Sequence, residues 1–321
     1  GYAGLRENDY SEYALQKGDI LISHINSEKH LGKCAYFDLD DKVIHGMNLL
    51  CFRNKKDISD SKYLFHFLSS SAFLKQIPKI TKKSVNQASF SISQFRDLDV
   101  YLPDLSTQTQ IAKILDKSTA LIAKRKAQIA ELNTLVQSVF LEMFGDPIIN
   151  SKNWEMVKFI DVVKLQRGFD LPVQNRIEGK YNVWGSNGIV ATHSEYKVKG
   201  GGIITGRSGS IGNVYYTKED YFPLNTTLFS VDTKGNNIIY LAYLVKNFKL
   251  ERFQTGTGVP TLNRNNVHEE YTINVPLELQ TQFAQIVEKI QTQKSQLQQS
   301  LAELEMQHQA LMQRAFRGEL V

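Results

Sequence analysis

Two stretches of the chain carry an apolar stripe in a 4-3-4-3 rhythm. The first runs Ile111, Leu115, Ser118, Ile122, Arg125, Ile129, Leu132, Val136, Val139 and Met143. The second repeats it 172 positions later, as Phe283, Val287, Ile290, Lys294, Leu297, Leu301, Leu304, His308, Leu311 and Ala315. A seven-residue period with mostly apolar first and fourth positions is the coiled-coil pattern. Each stripe lies in a run of 41 residues free of Pro and Gly, bounded by Pro103 and Gly145 in one case and Pro276 and Gly318 in the other. A helix of that length spans roughly 60 Å. Neither helix can hide its stripe alone, and equal length and register make them natural partners. The pattern therefore predicts two long spacer helices, 105–144 and 276–321, packed antiparallel. His308, polar at a seam position, is read as a register-fixing residue.

The segments before each helix repeat as well. In the first, alternating and continuous apolar runs predict strands at 18–23, 32–37 and 47–52, a helix at 62–76, a polar basic loop at 79–87 and a short strand at 98–102. In the second, Ser194, Glu195 and Tyr196 match Ser11, Glu12 and Tyr13 at a shift of 183. The shift falls to 180 at Gly212, to 177 at Tyr240 and to 173 at Pro276, and it never reverses. Two copies of one fold diverge in this way, with length changes confined to surface connections. The expected architecture is an α/β (α+β) pseudo-twofold tandem repeat: a first domain at 1–104, its helix, a second domain at 145–275, and its helix. Gly1 corresponds to about Trp184, whereas the second copy opens near Trp154. The equivalents of 154–183 are therefore expected to be missing from the first domain.

Composition narrows the function by exclusion. At 321 residues and a net charge of +5, the chain permits a nucleic-acid partner without demanding one. No apolar run approaches a membrane span, and two cysteines offer no disulfide framework. A reducing cytoplasm is the expected location. There is no phosphate-binding P-loop signature. Gly206, Gly209 and Gly212 have the wrong spacing for a dinucleotide fingerprint and are read as a tight strand turn. Cys34 and Cys51 align with Val214 and Leu228, so both are read as small core residues rather than metal ligands. No nucleophile–base set or paired carboxylates stand out. The chain reads as non-catalytic, with no metal and no cofactor of its own.

Three polar segments are candidates for DNA contact. Lys79, Lys82, Lys83, Ser84, Asn86 and Gln87 form a basic, amide-rich stretch, in which lysines neutralise phosphates and amides pair with adenine. Thr255, Thr257, Asn263 and Arg264 occupy the matching position in the second copy, within a glycine-containing loop. Arg207, Ser208 and Ser210 sit on the glycine turn, and Asn187 lies in the loop region 182–194 of the same domain. Two similar domains on a long spacer suit two half-sites separated by an unread gap, since the same groove face recurs about every 34 Å.

At this point the chain resembles the specificity subunit of a type I restriction–modification enzyme. The segments that carry the resemblance are 275–282 (VPLELQTQ), its copy at 102–110 (LPDLSTQTQ), the helix exit at 140–147 (FLEMFGDP) with 154–158 (WEMVK), and the close at 315–320 (AFRGEL). The resemblance covers the whole chain. It implies that each globular domain is a target recognition domain reading one half of a bipartite, asymmetric site in double-stranded DNA. It implies that the helices dock two methyltransferase (modification) subunits, which carry S-adenosylmethionine and methylate adenine. Restriction/translocase subunits using ATP and Mg would then cut unmodified DNA. It further implies that the glycine segments at 206–212 and 255–260 belong to scaffold or phosphate contact rather than base reading. Two other readings stay open: the recognition region of a single-chain methyltransferase–restriction fusion, and a structural coiled-coil adaptor without DNA binding.

Overall fold

The computed structural model describes residues 13–85, 87–256, 258 and 260–320. The chain divides into two compact units: Gly1–Gln128 with Leu297–Val321, and Ile129–Gln296. Each unit holds one globular body together with part of each long helix.

In the first unit the strands are β1 (Ile20–Ser23), β2 (Ile25–Asn26), β3 (Cys34–Tyr36), β4 (Leu49–Phe52), β5 (Lys82–Lys83) and β6 (Ala88–Ser89). They form two antiparallel sheets of order β3-β1-β4 and β2-β6-β5. The helix expected at 62–76 is interrupted. α1 (Ser61–Ser69) starts under Asp60, whose carboxylate accepts from the Tyr63 amide. Ser70 then leaves helical geometry, and its hydroxyl accepts from Phe73 to start α2 (Ser71–Leu74). A serine side chain that bonds its local backbone favours a cap over a helix interior. α3 (Ile77–Ile80) and α4 (Ile92–Arg96) follow, the latter opened by a capping box of Ser91 and Gln94. The strand expected at 98–102 has no ladder among the described residues, and Val100, Tyr101 and Leu102 are exposed.

In the second unit the strands are β7 (Glu155–Lys158), β8 (Lys164–Arg167), β9 (Tyr181–Gly185), β10 (Gly188–His193), β11 (Gly202–Gly206), β12 (Val214–Thr217), β13 (Tyr221–Pro223), β14 (Thr227–Asp232), β15 (Gln254–Thr255), β16 (Thr261–Leu262) and β17 (Tyr271–Asn274). The main sheet, β12-β11-β14-β8, is antiparallel and reproduces β3-β1-β4 with one strand added. A second sheet has the order β10-β9-β13, with β13 parallel to β9, and β17 pairs with β7. Three helices fold onto these sheets: α6 (Phe159–Val162), α7 (Ile238–Asn247) and α8 (Arg264–His268). Asn237 caps α7 as Asp60 caps α1.

The strand registers refine the repeat. Ile22 faces Cys34 and Leu50, while its counterpart Thr205 faces Val214 and Leu228. Cys34 thus matches Val214 as expected, but Cys51 matches Phe229 rather than Leu228. Both thiols are half-buried rather than true core, and burial pushes them up to about 12 and about 11.

The long helices are α5 (Leu105–Phe144) and α9 (Leu277–Ala315). Every seam position named above is buried or half-buried, and most residues between them are exposed. Partners run in opposite directions within each unit. In the first, Ser118 bonds His308 at 3.1 Å and Lys126 bonds Glu305 at 2.8 Å. In the second, Asn133 accepts from Lys294 at 2.8 Å, and Phe140 and Phe144 pack on Phe283. Phe140 and Phe144 are fully buried. They lie beside the seam, where the helix also meets the globular core. Gly145 and Gly318 close the two helices with φ of +76° and +75°, a left-handed turn that favours glycine.

One side chain does the same job in both units. Gln108 and Gln280 are buried on the first turns of α5 and α9. Gln108 accepts from the Asp60 amide and donates to the Ile58 and Pro103 carbonyls. Gln280 accepts from the Asn237 amide and donates to Asn236 and the Val275 carbonyl. Each glutamine ties the start of a long helix to the cap of the domain helix it packs on.

Candidate nucleic-acid interface

Two of the candidate segments of the second unit fold into one place. The turn after β11 carries Arg207, Ser208 and Ser210, and the β15–β16 hairpin carries Thr255 and Thr261. They are stitched by backbone: Ser208 bridges Thr261, Gly209 donates to the Pro260 carbonyl at 3.2 Å, and Leu262 donates to the Arg207 carbonyl at 2.8 Å. Gly206 is fully enclosed, and a Cβ there would strike the backbone of Ser210. The glycine turn is therefore a tight strand exit, as its spacing suggests. The β9–β10 turn, with exposed Asn187, comes alongside, since Ser186 lies 4.0 Å from where a Gly209 side chain would begin.

These segments enclose a cleft of about 380 Å³ lined by Arg167, Arg207, Thr261, Asn263, Arg264 and Asn265, with Leu228 and Leu262 as its apolar floor. Three arginines thus line one opening. Arg207 is half-buried and anchored by a bond to the Asn225 carbonyl at 3.2 Å. Arg167 is exposed and bonds Asp170 at 3.2 Å, which offsets part of its charge. Arg264 opens α8. Asn263 has its side-chain oxygen committed to the α8 cap, where it accepts from the Asn265 amide at 3.0 Å, so only its amide NH2 is free to read a ligand. Behind the cleft, His268 accepts from the Leu165 amide at 3.0 Å. Burial, and then the charges of Arg264 and Lys164, hold His268 below its ordinary value. It therefore braces β8 as a neutral ring.

The candidates of the first unit occupy the matching hairpin, with differences. Lys79 belongs to α3, and Lys82 and Lys83 form β5, so the segment read as a loop is mostly regular. Two-residue strands leave little periodicity, and β6 between β5 and β2 supplies the pairing. Lys83 bonds Glu28 at 2.8 Å, whereas Lys79 and Lys82 have no ion-pair partner among the described residues. Ser84 turns the hairpin by donating twice to the Gln87 carbonyl. Val85 at the tip is 99% exposed. Asn86 and Thr257 lie outside the described residues. Thr255 is spent on the hairpin, bonding Thr261.

Arg167 is a cleft residue that the sequence did not flag. Arg167 belongs to no motif. Asn265 lies within the candidate stretch 255–266 without having been singled out there. No group of three or more His, Cys, Asp or Glu able to hold a metal occurs among the described residues. No helix among them is long and apolar enough to cross a membrane.

The fold resembles two solved structures. One is the S subunit of a type I restriction–modification system from M. genitalium, with a TM-score of 0.61, 18% identity, and coverage of 94% of this chain and 83% of that one. The other comes from a study of complex assembly and conformational transition of the type I R-M system, with a TM-score of 0.64, 16% identity, and coverage of 96% and 83%. Among curated relatives, a candidate specificity subunit of the type I restriction enzyme MjaX from Methanocaldococcus jannaschii is 36% identical over 47% of this chain and 36% of its own length. The EcoprrI specificity subunit from Escherichia coli is 24% identical over 74% of this chain and 62% of its own length. The chain therefore spans less than two thirds of these relatives. The profile of the type I restriction modification DNA specificity domain matches residues 2–134 and 151–306, one match for each copy of the repeat. The chain belongs to the type I restriction modification DNA specificity domain family.

Proposed function

We propose that the chain is a DNA-binding specificity subunit whose two domains, 1–104 and 145–275, each recognise one half of a bipartite site in double-stranded DNA. The observation that carries this reading is the cleft where Arg167, Arg207 and Arg264 line one opening beside the β15–β16 hairpin. Clustered guanidiniums neutralise phosphates, and arginine also pairs bidentately with guanine. Free amide groups nearby suit base edges. In the first domain, Lys79, Lys82 and Gln87 on and beside the β5–β6 hairpin take the corresponding part. The long helices serve as the spacer and as the surface on which two methyltransferase subunits and restriction/translocase subunits assemble. Methylation with S-adenosylmethionine and ATP- and Mg-dependent cleavage belong to those partners, and the chain works in the cytoplasm, where the DNA is.

The test is salt-dependent DNA binding by the purified chain with a randomised duplex library. Arg207→Ala and Arg264→Ala should each weaken binding by about 1–3 kcal/mol if the arginine reads a base. If it holds a phosphate, the slope of log affinity against log salt should instead shrink by about one. Wild-type binding that is insensitive to salt, or variants that bind as wild type, would remove the cleft from the interface.

A further inference from the structure

Beside the cleft of the second unit, one carboxylate holds two neighbouring side chains. The segment that leaves the end of β8, residues 167–170, is laced by backbone to residues 223–227. Gly168 donates to the Thr227 carbonyl at 3.1 Å, Phe169 to the Pro223 carbonyl at 2.8 Å, and Asn225 to the Phe169 carbonyl at 2.9 Å. Gly168 is enclosed, and a Cβ there would strike the Leu224 carbonyl oxygen. Each segment fixes the other, and Asp170 is set next to Asn225. Its carboxylate accepts from Asn225 Nδ2 and, through both oxygens, from Arg167 Nη2 at 3.2 and 3.4 Å. The main-chain carbonyl of Asn225 in turn accepts from Arg207 Nη1 at 3.2 Å. The Arg207 amide donates to the next carbonyl, that of Thr226, at 2.8 Å. Two of the three cleft arginines are thus tied to Asp170, Arg167 directly and Arg207 through Asn225. The Asp170 and Arg167 side chains are 66% and 48% exposed, and an ion pair this open to solvent contributes little to stability.

We infer that Asp170 is a specificity-determining residue of this cleft: it keeps Arg167 off the phosphates of unselected DNA and, through Asn225, positions Arg207 for the selected sequence. The inference rests on the DNA reading of the cleft given above. An arginine that is free to move meets a phosphate at any sequence, and each such contact strengthens binding without discriminating. Arg167 reaches a phosphate only by leaving Asp170, which then stands unpaired beside a second negative charge. A like-charge contact of this kind acts against the wrong partner rather than for the right one. At the selected site the base contacts set the register, and an Arg207 held in place by Asn225 makes its contact with less ordering left to do. Asp170 therefore lowers affinity for DNA in general and raises the margin for one sequence.

The test titrates the purified full chain with two labelled duplexes, one selected from the randomised library and one of the same composition with its sequence scrambled, over a range of salt concentrations. Asp170→Ala should bind the scrambled duplex about tenfold more tightly at about 0.1 M salt, and its slope of log affinity against log salt should steepen by about one. Its affinity for the selected duplex should not rise with it, so the ratio of the two affinities should fall about tenfold. Asp170→Glu, which restores a carboxylate, should return the slope to that of the wild type. The steeper slope should be absent from Arg167→Ala/Asp170→Ala when it is compared with Arg167→Ala. The melting temperature of Asp170→Ala should match the wild type, since the residue is exposed. Wild-type binding that does not depend on salt would overturn the DNA reading of the cleft and this inference with it. Salt-dependent wild-type binding with an unchanged slope and ratio in Asp170→Ala, or with both duplexes weakened alike, would overturn the role of Asp170 alone.

Discussion

At the scale of the residue, buried polar groups carry the specific structure. Gln108 and Gln280 each satisfy an amide at the cap of a packed helix. Replacing either by alanine leaves a buried amide unpaired and should cost about 1–3 kcal/mol, measured by urea unfolding. An unchanged midpoint in both variants would show that water replaces the side chain. Three histidines make stability pH-dependent. His66, His268 and His308 are all held below the ordinary value, in each case first because burial disfavours the charged ring. For His66 the bond to Asp116 at 2.7 Å opposes this shift, and nearby Lys62 adds to it. His308 faces Ser118, and the charge of His66 lowers it further. The neutral rings favour the folded state, so their contribution is fully present above about pH 6.5, the unfolded value, and is lost as pH falls through that value towards the lower folded ones. Thermal melts should therefore be flat between about pH 6.5 and 8 and decline below that window. His308→Gln should make the decline shallower.

At the scale of the element, the helices and the hairpins behaved differently under sequence reading. The seam of α5 and α9 was legible residue by residue, because a seven-residue period sustained for ten positions admits few alternatives. Phe140 and Phe144 fell outside it, since they pack on Tyr240 of the globular core as well as on Phe283 of the partner helix. Strands β5 and β6 were illegible, because two residues show no alternation and β6 finds its other partner, β2, far earlier in the chain. The break between α1 and α2 turned on one serine. The strand expected at 98–102 kept its apolar residues but has no ladder among the described residues, in contrast to β17 on β7. At the cleft, Arg207, Asn263 and Arg264 were found from their loops, whereas Arg167 required the three-dimensional junction of β8 with the β11 turn. Two substitutions test the helices. Phe140→Ala should cost about 3–5 kcal/mol in unfolding free energy by removing a buried aromatic. Leu132→Pro should cost about 3 kcal/mol or more and lower helical circular dichroism. Under the proposed function it also abolishes co-purification with a methyltransferase subunit, and normal co-purification would contradict that role for the helix.

At the scale of the whole molecule, the chain is one fold used twice, and the two copies differ in added strands and at the hairpin rim proposed to meet DNA. The second unit presents three arginines and amides around a cleft, while the first presents lysines on a hairpin whose neighbour α4 opens with Ile92 where α8 has Arg264. Copies that share a scaffold and differ at the same rim are suited to reading two different half-sites. Under the proposed function this chain sets the sequence of a split DNA site. The measurement that tests it most directly is genome-wide mapping of methylated adenine by long-read sequencing, in the organism that carries the gene and in a strain from which it is deleted. One motif, made of two unlike half-sites around an unread gap, should lose its methylation on deletion and regain it on complementation, and Arg264→Ala should disturb only one half. A methylation pattern unchanged by the deletion would contradict that function.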